Sequence, residues 1–202
     1  MDVFALRDLL LATQLNNPQL SLVAGHFRYC ETFHRPFLNR CSAFTVLREP
    51  VDRFLSLYYY NSFKSTSYGK ETLPLDVYLT KPRARRSAED YVRLFRGTNV
   101  EHGTFASTDD IEAAKRNLQQ FAIVGCLENM SAFEAMFRQR TGLDLNMPVL
   151  NKSPAPLEER YAELPVELMQ EISQLCEPST QVYDFVSKHL ATASVSSSAI
   201  AA

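Results

Sequence analysis

The chain has 202 residues, of which 46% are hydrophobic and 22% charged, the composition of one globular domain with a sizeable core. Its 21 basic and 23 acidic residues give a net charge of -2, so no overall basic field favours a nucleic-acid partner. The four cysteines form no CxxC pair or other zinc-ligand pattern, so we expect no metal site.

The start of the chain is predicted to be an amphipathic helix. Its apolar residues are interrupted by Asp2, Arg7 and Asp8, which suits a helix better than a signal peptide or a membrane anchor. No run of 18 apolar residues occurs anywhere, so no transmembrane segment is predicted. At the other end, residues 191–202 are small and uncharged and are predicted to be disordered, which leaves residues 1–190 as a single domain.

Two strands and a crossover are predicted next. Residues 20–26 (LSLVAGH) form a short apolar run that is typical of a buried strand, with His26 at its tip. Residues 27–42 are long enough for a crossover between parallel strands, which needs about a dozen residues. Cys30 and Cys41 lie in this stretch, as free thiols or as a bridge if the compartment is oxidising. A second strand, SAFTVL, then ends at Arg48.

A helix is predicted to follow this strand directly. Pro50 ends the strand and suits the first turn of a helix. The apolar positions that follow are spaced to form one helical stripe: Val51, Phe54, Leu55 and Tyr58. This strand, turn and helix is the clearest element of the sequence.

The remaining elements alternate between helix and strand. Further predictions are a helical turn at 75–80, a basic loop at 81–86, helices at 88–96 and 109–120, a buried strand at 121–129, and helices at 130–141, 164–176 and 180–190. Such alternation predicts an α/β fold with a parallel sheet flanked by helices.

Two strand ends carry side chains that could act on a ligand, because ligands bind at the carboxyl ends of strands in open α/β sheets. Arg48, beside the start of a helix, could hold a phosphate, and the hydroxyl of Ser56 could add a donor. An ion pair of Arg48 with Glu49 or Asp52 remains the alternative. For His26, the alternative is a histidine satisfied by a backbone carbonyl.

The stretch FTVLREPVDRFLSLYYYNSF (44–63) resembles the 3′-phosphate-binding signature of sulfotransferases that use 3′-phosphoadenosine-5′-phosphosulfate (PAPS). LVAGHF (22–27) resembles the Gly-His segment of the heparan sulfate and uronyl 2-O-sulfotransferases. The resemblance implies a P-loop NTPase-like sulfotransferase fold, PAPS as co-substrate without a metal, and a glycan or other hydroxyl acceptor. It also implies that Arg48 and Ser56 bind the 3′-phosphate and that His26 is the catalytic base.

Three further segments are similar to this family in weaker ways: EDYVRLFRG (89–97), FAIVGCLENM (121–130) and LNKSPAP (150–156). The last is similar to a loop that closes over the nucleotide, which implies that Lys152 and Ser153 contact it. Relatives of this type are Golgi membrane proteins that modify glycosaminoglycans. Because the sequence shows no anchor, the compartment stays open, with the cytoplasm as an alternative.

One family segment is not found. The loop that grips the 5′-phosphosulfate should precede the Gly-His strand, yet the residues before His26 include no lysine and no Gly-rich turn. Gly69–Thr72 lacks the glycine framework and the preceding strand that such a loop requires. We therefore expect an N-terminally truncated fold with unpaired strand edges. A non-catalytic nucleotide- or glycan-binding relative remains the alternative to an active sulfotransferase, and the missing Walker lysine argues against a phosphoryl transferase.

The acceptor side is predicted from charge. Residues 81–96 carry six basic and two acidic side chains, a local charge of +4, and Arg83, Arg85 and Arg86 could receive an anionic polysaccharide. The alternative is a solvated loop leading into a helix. His34 and Arg35 could line the acceptor groove. Of the consecutive tyrosines, only Tyr59 or Tyr60 could face a sugar or base, because Tyr58 belongs to the core stripe.

Overall fold

A computed structural model describes residues 3–38, 40–97, 105–145 and 164–191. Its regular elements, in chain order, are α1 (Val3–Leu15), α2 (Glu31–Leu38), β1 (Phe44–Leu47), α3 (Pro50–Phe63), α4 (Leu75–Leu79), α5 (Pro82–Ala88), α6 (Asp90–Phe95), α7 (Thr108–Leu118), β2 (Ile123–Cys126), a 3₁₀ turn (Leu127–Asn129), α8 (Met130–Thr141), α9 (Val166–Phe185) and a π-helical turn (Val186–Leu190).

The sheet of the described part consists of β1 and β2, which pair in parallel. Phe44 pairs with Ile123 and Leu47 with Cys126, so the two strands end level with each other. Helix α8 and the π-helical turn pack against β2. The predicted α/β class is confirmed, as a mostly helical fold with a small parallel sheet.

The strand predicted at residues 20–26 is wrong. This segment has no regular secondary structure and pairs with neither strand, and Leu20 and Leu22 are exposed. Contacts of the residues that follow it hold the chain against helices α1 and α6 instead. Arg28 pairs with the buried Asp8 of α1 at 2.9 Å, and the Tyr29 N–H donates to the Leu94 carbonyl of α6.

Helix α3 begins where the sequence predicts. Pro50 occupies its first turn, and the Glu49 carboxylate accepts a hydrogen bond from the Asp52 N–H. Phe54, Leu55 and Tyr58 are buried as the predicted stripe, and the Tyr58 hydroxyl donates to the Leu73 carbonyl. The element that carries the clearest sequence signal is therefore built as expected.

The helices predicted at the start of the chain and at 75–80, 109–120 and 130–141 are also confirmed. A capping box between Ser107 and Asp110 begins α7. Gly142 follows α8 with a φ of 72°, a left-handed conformation that glycine adopts without a steric penalty.

The basic loop predicted at 81–86 is helix α5, with Pro82 at its first position. The two helices predicted at the C-terminal end are one, because α9 continues through Pro178. Its neighbours explain why the proline does not end it. Ser179 is buried, and its hydroxyl donates to the Ala88 carbonyl at 2.6 Å and accepts from the Tyr91 N–H at 3.3 Å. Tertiary packing here outweighs a local preference.

The core forms two large clusters that meet along α9. The first surrounds the sheet and includes Leu47, Tyr91, Val124 and Val182. The second joins α3, α4 and α5 to the first half of α9: Phe54, Leu55, Tyr58, Leu75, Tyr78, Leu79, Ala84, Ala88, Ile172 and Cys176. A smaller cluster lies between the sheet and α8.

Two further sequence expectations can be compared with the described residues. Cys41 is a free thiol, so the bridge to Cys30 is not formed. None of the described helices combines the length and the apolar character that crossing a membrane requires.

Replacing Ser179 by alanine is expected to lower the free energy of unfolding by about 2 kcal/mol, because the Ala88 carbonyl and the Tyr91 N–H both lose a buried partner. Ser173→Ala is the matched control, since that exposed hydroxyl bonds only within α9, to the Met169 carbonyl. Urea denaturation of both variants measures the difference. Equal losses would show that the Ser179 bonds add nothing to stability.

Alkaline pH is expected to destabilise the fold through Tyr91. Burial raises the pKa of Tyr91 from 10.0 to about 12. The pKa of Tyr91 is higher in the folded than in the unfolded state. The contribution of the neutral Tyr91 side chain to the free energy of unfolding is therefore fully present below about pH 10 and is lost as the pH rises towards 12. In denaturation experiments at increasing pH, the free energy of unfolding should fall less steeply above pH 10 for Tyr91→Phe than for the wild type. Identical slopes would contradict this assignment.

Candidate nucleotide-binding site

The candidate site lies where the two parallel strands end. Arg48 follows β1 directly, and Glu128 lies in the 3₁₀ turn after β2. Because the strands pair in parallel with their last residues opposite each other, both side chains are brought to the same edge of the sheet. This edge is the position at which α/β sheets bind ligands.

The backbone of Arg48 is held by one side chain of α6. The Tyr91 hydroxyl accepts a hydrogen bond from the Arg48 N–H and donates one to the Arg48 carbonyl, both at 2.7 Å. Tyr91 is buried, so its hydroxyl remains protonated at neutral pH. Arg48 therefore projects from a fixed point at the end of β1.

The Arg48 side chain is partly exposed and only loosely paired. Its nearest guanidinium nitrogen lies 3.9 Å from Asp52 Oδ2, beyond hydrogen-bonding distance, with 30% of the Arg48 side chain accessible. The predicted ion pair thus exists, but exposed pairs of this kind contribute little free energy. A phosphate that makes two hydrogen bonds to the guanidinium would compete well with it.

The first turn of α3 adds positive potential but is already capped. The Asp52 N–H donates to the Glu49 carboxylate at 2.7 Å. A bound phosphate would therefore rely on the Arg48 side chain more than on this backbone donor.

Glu128 fixes the residue next to Arg48. One of its oxygens accepts from the Glu49 N–H at 2.8 Å, and the other accepts from the Tyr183 hydroxyl at 2.8 Å. Burial, and next the hydrogen bond to this carboxylate, raise the pKa of Tyr183. Residues 48 and 49 are thus anchored from α6 on one side and from the end of β2 on the other.

Ser56 lies on the same face of α3 as Asp52, four residues further on, and is partly exposed. Because the Arg48 guanidinium approaches Asp52, this face leads from the strand end towards the Ser56 hydroxyl. Asp52 and Ser56 therefore share one face of α3, and the Arg48 guanidinium approaches that face at Asp52.

His26 lies outside the β1–β2 strand pair. It is exposed, and its carbonyl accepts a hydrogen bond from Arg7 at 3.2 Å. Within the described ranges, no hydrogen bond or ion pair joins His26 to Arg48 or Ser56. The structure thus places His26 on an irregular segment instead of a strand tip.

Two of the three arginines predicted to bind a glycan pair with buried carboxylates. Arg83 lies 2.8 Å from Glu71, and Arg85 lies 2.8 Å from Glu89 and above the Phe105 ring. Arg86 is exposed on the same short helix. These pairs connect α5 to its surroundings, so Arg83 and Arg85 have structural contacts of their own.

The other predicted acceptor residues are less informative. Arg35 is exposed on α2 and pairs with Glu31 at 2.8 Å. His34 belongs to the same helix, but its side chain is outside the described part. Lys152 and Ser153, which were predicted to contact the nucleotide, lie outside the described residues with the whole LNKSPAP segment. Nearly all of the predicted tail also lies outside them.

Sequence reasoning did not single out the residues that support the site. Tyr91 and Glu128 lie inside segments that resemble the family, but neither position follows a spacing that links it to Arg48. Tyr183 carries no local signal at all.

In the described ranges, no three His, Cys, Asp or Glu side chains are grouped as a metal ion would need.

Comparison with known proteins and families gives one match. No curated protein and no solved structure gives a significant match. A family model described as "Sulfotransferase family" matches residues 11–200, which is nearly the whole chain and includes the β1–α3 unit with Arg48 and Ser56. The chain therefore belongs to the sulfotransferase family.

Proposed function

We propose that this sulfotransferase uses PAPS as donor and a carbohydrate hydroxyl as acceptor. The observation that supports the donor most directly is Arg48, a partly exposed and loosely paired guanidinium at the carboxyl end of a parallel strand. A 3′-phosphate carries close to two negative charges at neutral pH, and a planar guanidinium can bind two of its oxygens.

In this proposal, Arg48 and Ser56 hold the 3′-phosphate. Their role is to fix the position of the donor, since neither touches the bond that breaks. PAPS supplies the sulfuryl group, which moves to the acceptor oxygen as the bond to the 5′-phosphate breaks, leaving 3′,5′-adenosine diphosphate. Positioning of this kind accounts for large rate factors in group transfer.

His26 is the proposed base. A neutral imidazole would accept the proton of the acceptor hydroxyl as its oxygen attacks sulfur. The exposure of His26 leaves it accessible to a polymeric acceptor. Arg86 and Arg35, also exposed, would meet anionic groups of a glycosaminoglycan, with Arg83 and Arg85 adding to the local positive potential.

A second candidate function is nucleotide or glycan binding without transfer. The exposed position of His26 outside the two paired strands favours it. Such a protein would need the 3′-phosphate site but no base. The two candidates differ in whether His26 matters for turnover, while both require Arg48.

Replacing Arg48 by alanine is expected to lower the affinity for 3′,5′-adenosine diphosphate at least tenfold, because a charge-assisted pair to the phosphate is lost. Calorimetry on the whole protein measures this, with Arg116→Ala on the exposed face of α7 as a control for the loss of charge. Ser56→Ala should cost less, about threefold. A wild type that folds but does not bind would refute the donor site.

Replacing His26 by alanine is expected to lower sulfuryl transfer from labelled PAPS to a desulfated heparin by about 100-fold or more, since the general base is removed. Affinity for 3′,5′-adenosine diphosphate should remain within twofold of the wild type. If the wild type binds this nucleotide and transfers nothing, the binding protein is the correct assignment. Full transfer by the variant would remove His26 from the mechanism.

A further inference from the structure

The Tyr91 hydroxyl holds both polar backbone groups of a single residue, Arg48. Its oxygen lies 2.7 Å from the Arg48 nitrogen and 2.7 Å from the Arg48 carbonyl oxygen. A hydroxyl can donate one hydrogen bond and accept others, so both contacts form at once. They restrain the dihedral angles on both sides of the Arg48 Cα, and therefore the direction in which the side chain leaves the backbone.

Arg48 is the first residue beyond the paired part of the strand. The register ends with Leu47 opposite Cys126, so the ladder to β2 does not extend to Arg48. At Arg48, the Tyr91 hydroxyl binds the backbone groups that the ladder leaves unpaired. The guanidinium lies at the end of a long flexible side chain, where a small rotation of the backbone displaces it considerably. A misplacement of about 1 Å at a positioned group can cost a large factor in function.

Tyr91 is itself well fixed. Its ring is buried in the cluster around the sheet, with Leu47 and Val124. The Arg53 guanidinium lies 5.3 Å from the ring centre, and the Tyr91 N–H donates to Ser179 of α9. Contacts from both strands, α3 and α9 therefore hold the ring that presents this hydroxyl to Arg48, as a support must be held if it is to restrain another residue.

We propose that Tyr91 is a positioning residue that sets the orientation of Arg48 for the 3′-phosphate of the nucleotide. This inference rests on the proposed function, because it requires that Arg48 binds that phosphate. Tyr91 itself does not touch the ligand. Loss of its hydroxyl should weaken recognition of the 3′-phosphate while leaving the rest of the nucleotide contacts unchanged.

The test is Tyr91→Phe, with Tyr58→Phe as the matched control. Tyr58 is also a buried tyrosine whose hydroxyl donates to a backbone carbonyl, that of Leu73 at 2.9 Å, but it does not contact Arg48. Calorimetry with 3′,5′-adenosine diphosphate and ligand-observed NMR with 5′-adenosine monophosphate give the two affinities. The second nucleotide lacks the 3′-phosphate, so it reports binding that does not involve Arg48.

We expect Tyr91→Phe to lower the affinity for 3′,5′-adenosine diphosphate about tenfold, and to leave that for the monophosphate within twofold. Tyr58→Phe should change neither. Equal losses for both nucleotides would show that Tyr91 acts only on stability, and no loss at all would show that Arg48 needs no support. Either result overturns the inference while the donor site stands.

A folded wild type that does not bind 3′,5′-adenosine diphosphate would overturn the donor site, and this inference with it. If Tyr91→Phe does not fold, amide hydrogen exchange of the wild type decides. The Arg48 N–H should exchange slowly, as expected for a donor to a buried hydroxyl. Exchange as fast as that of an exposed amide would refute the restraint directly.

Discussion

The parallel pairing of β1 and β2 is the contact on which the candidate site depends. Each strand contributes only four residues, yet their register brings the two carboxyl ends level. Arg48 and Glu128, 80 positions apart in the chain, become neighbours at one edge because of it. The hydrogen bond from the Glu49 N–H to Glu128 then joins the two strand ends beyond the ladder.

Buried polar side chains determine how the helices sit around this pair. Ser179 connects α9 to the end of α5 and the start of α6, and Glu89 binds Arg85 and the Ala106 N–H between α5 and α7. Both side chains are almost fully buried, and the groups they bind would be costly to leave unsatisfied. They explain why α6, and with it Tyr91, has a defined position relative to the sheet.

Much of the fold follows from local sequence signals. The β1–α3 unit was predictable because Pro50, the apolar stripe and the strand run agree with one another, and so were α7, β2 and α8. Arg48 and Ser56 were predictable as a candidate site for the same reason, together with the family resemblance.

The errors have a common physical origin in long-range contacts. Residues 20–26 have the composition of a strand, but a strand also requires a partner with free backbone groups, and composition does not report one. Pro178 is a helix breaker by local preference, yet packing on both sides of α9 continues the helix. Tyr91 was not predictable as a support for Arg48, because the two residues are 43 positions apart and no sequence motif connects them.

Helix α9 has a consequence for how the molecule unfolds. Its first half belongs to the cluster with α3 and its second half to the cluster around the sheet, with Pro178 between them. Neither cluster can lose its packing without exposing part of a helix that the other requires. The two should therefore melt in one cooperative transition. Damage to the packing between α3 and α4 would then reduce the fraction of molecules that hold an intact site, even where it changes no residue of that site.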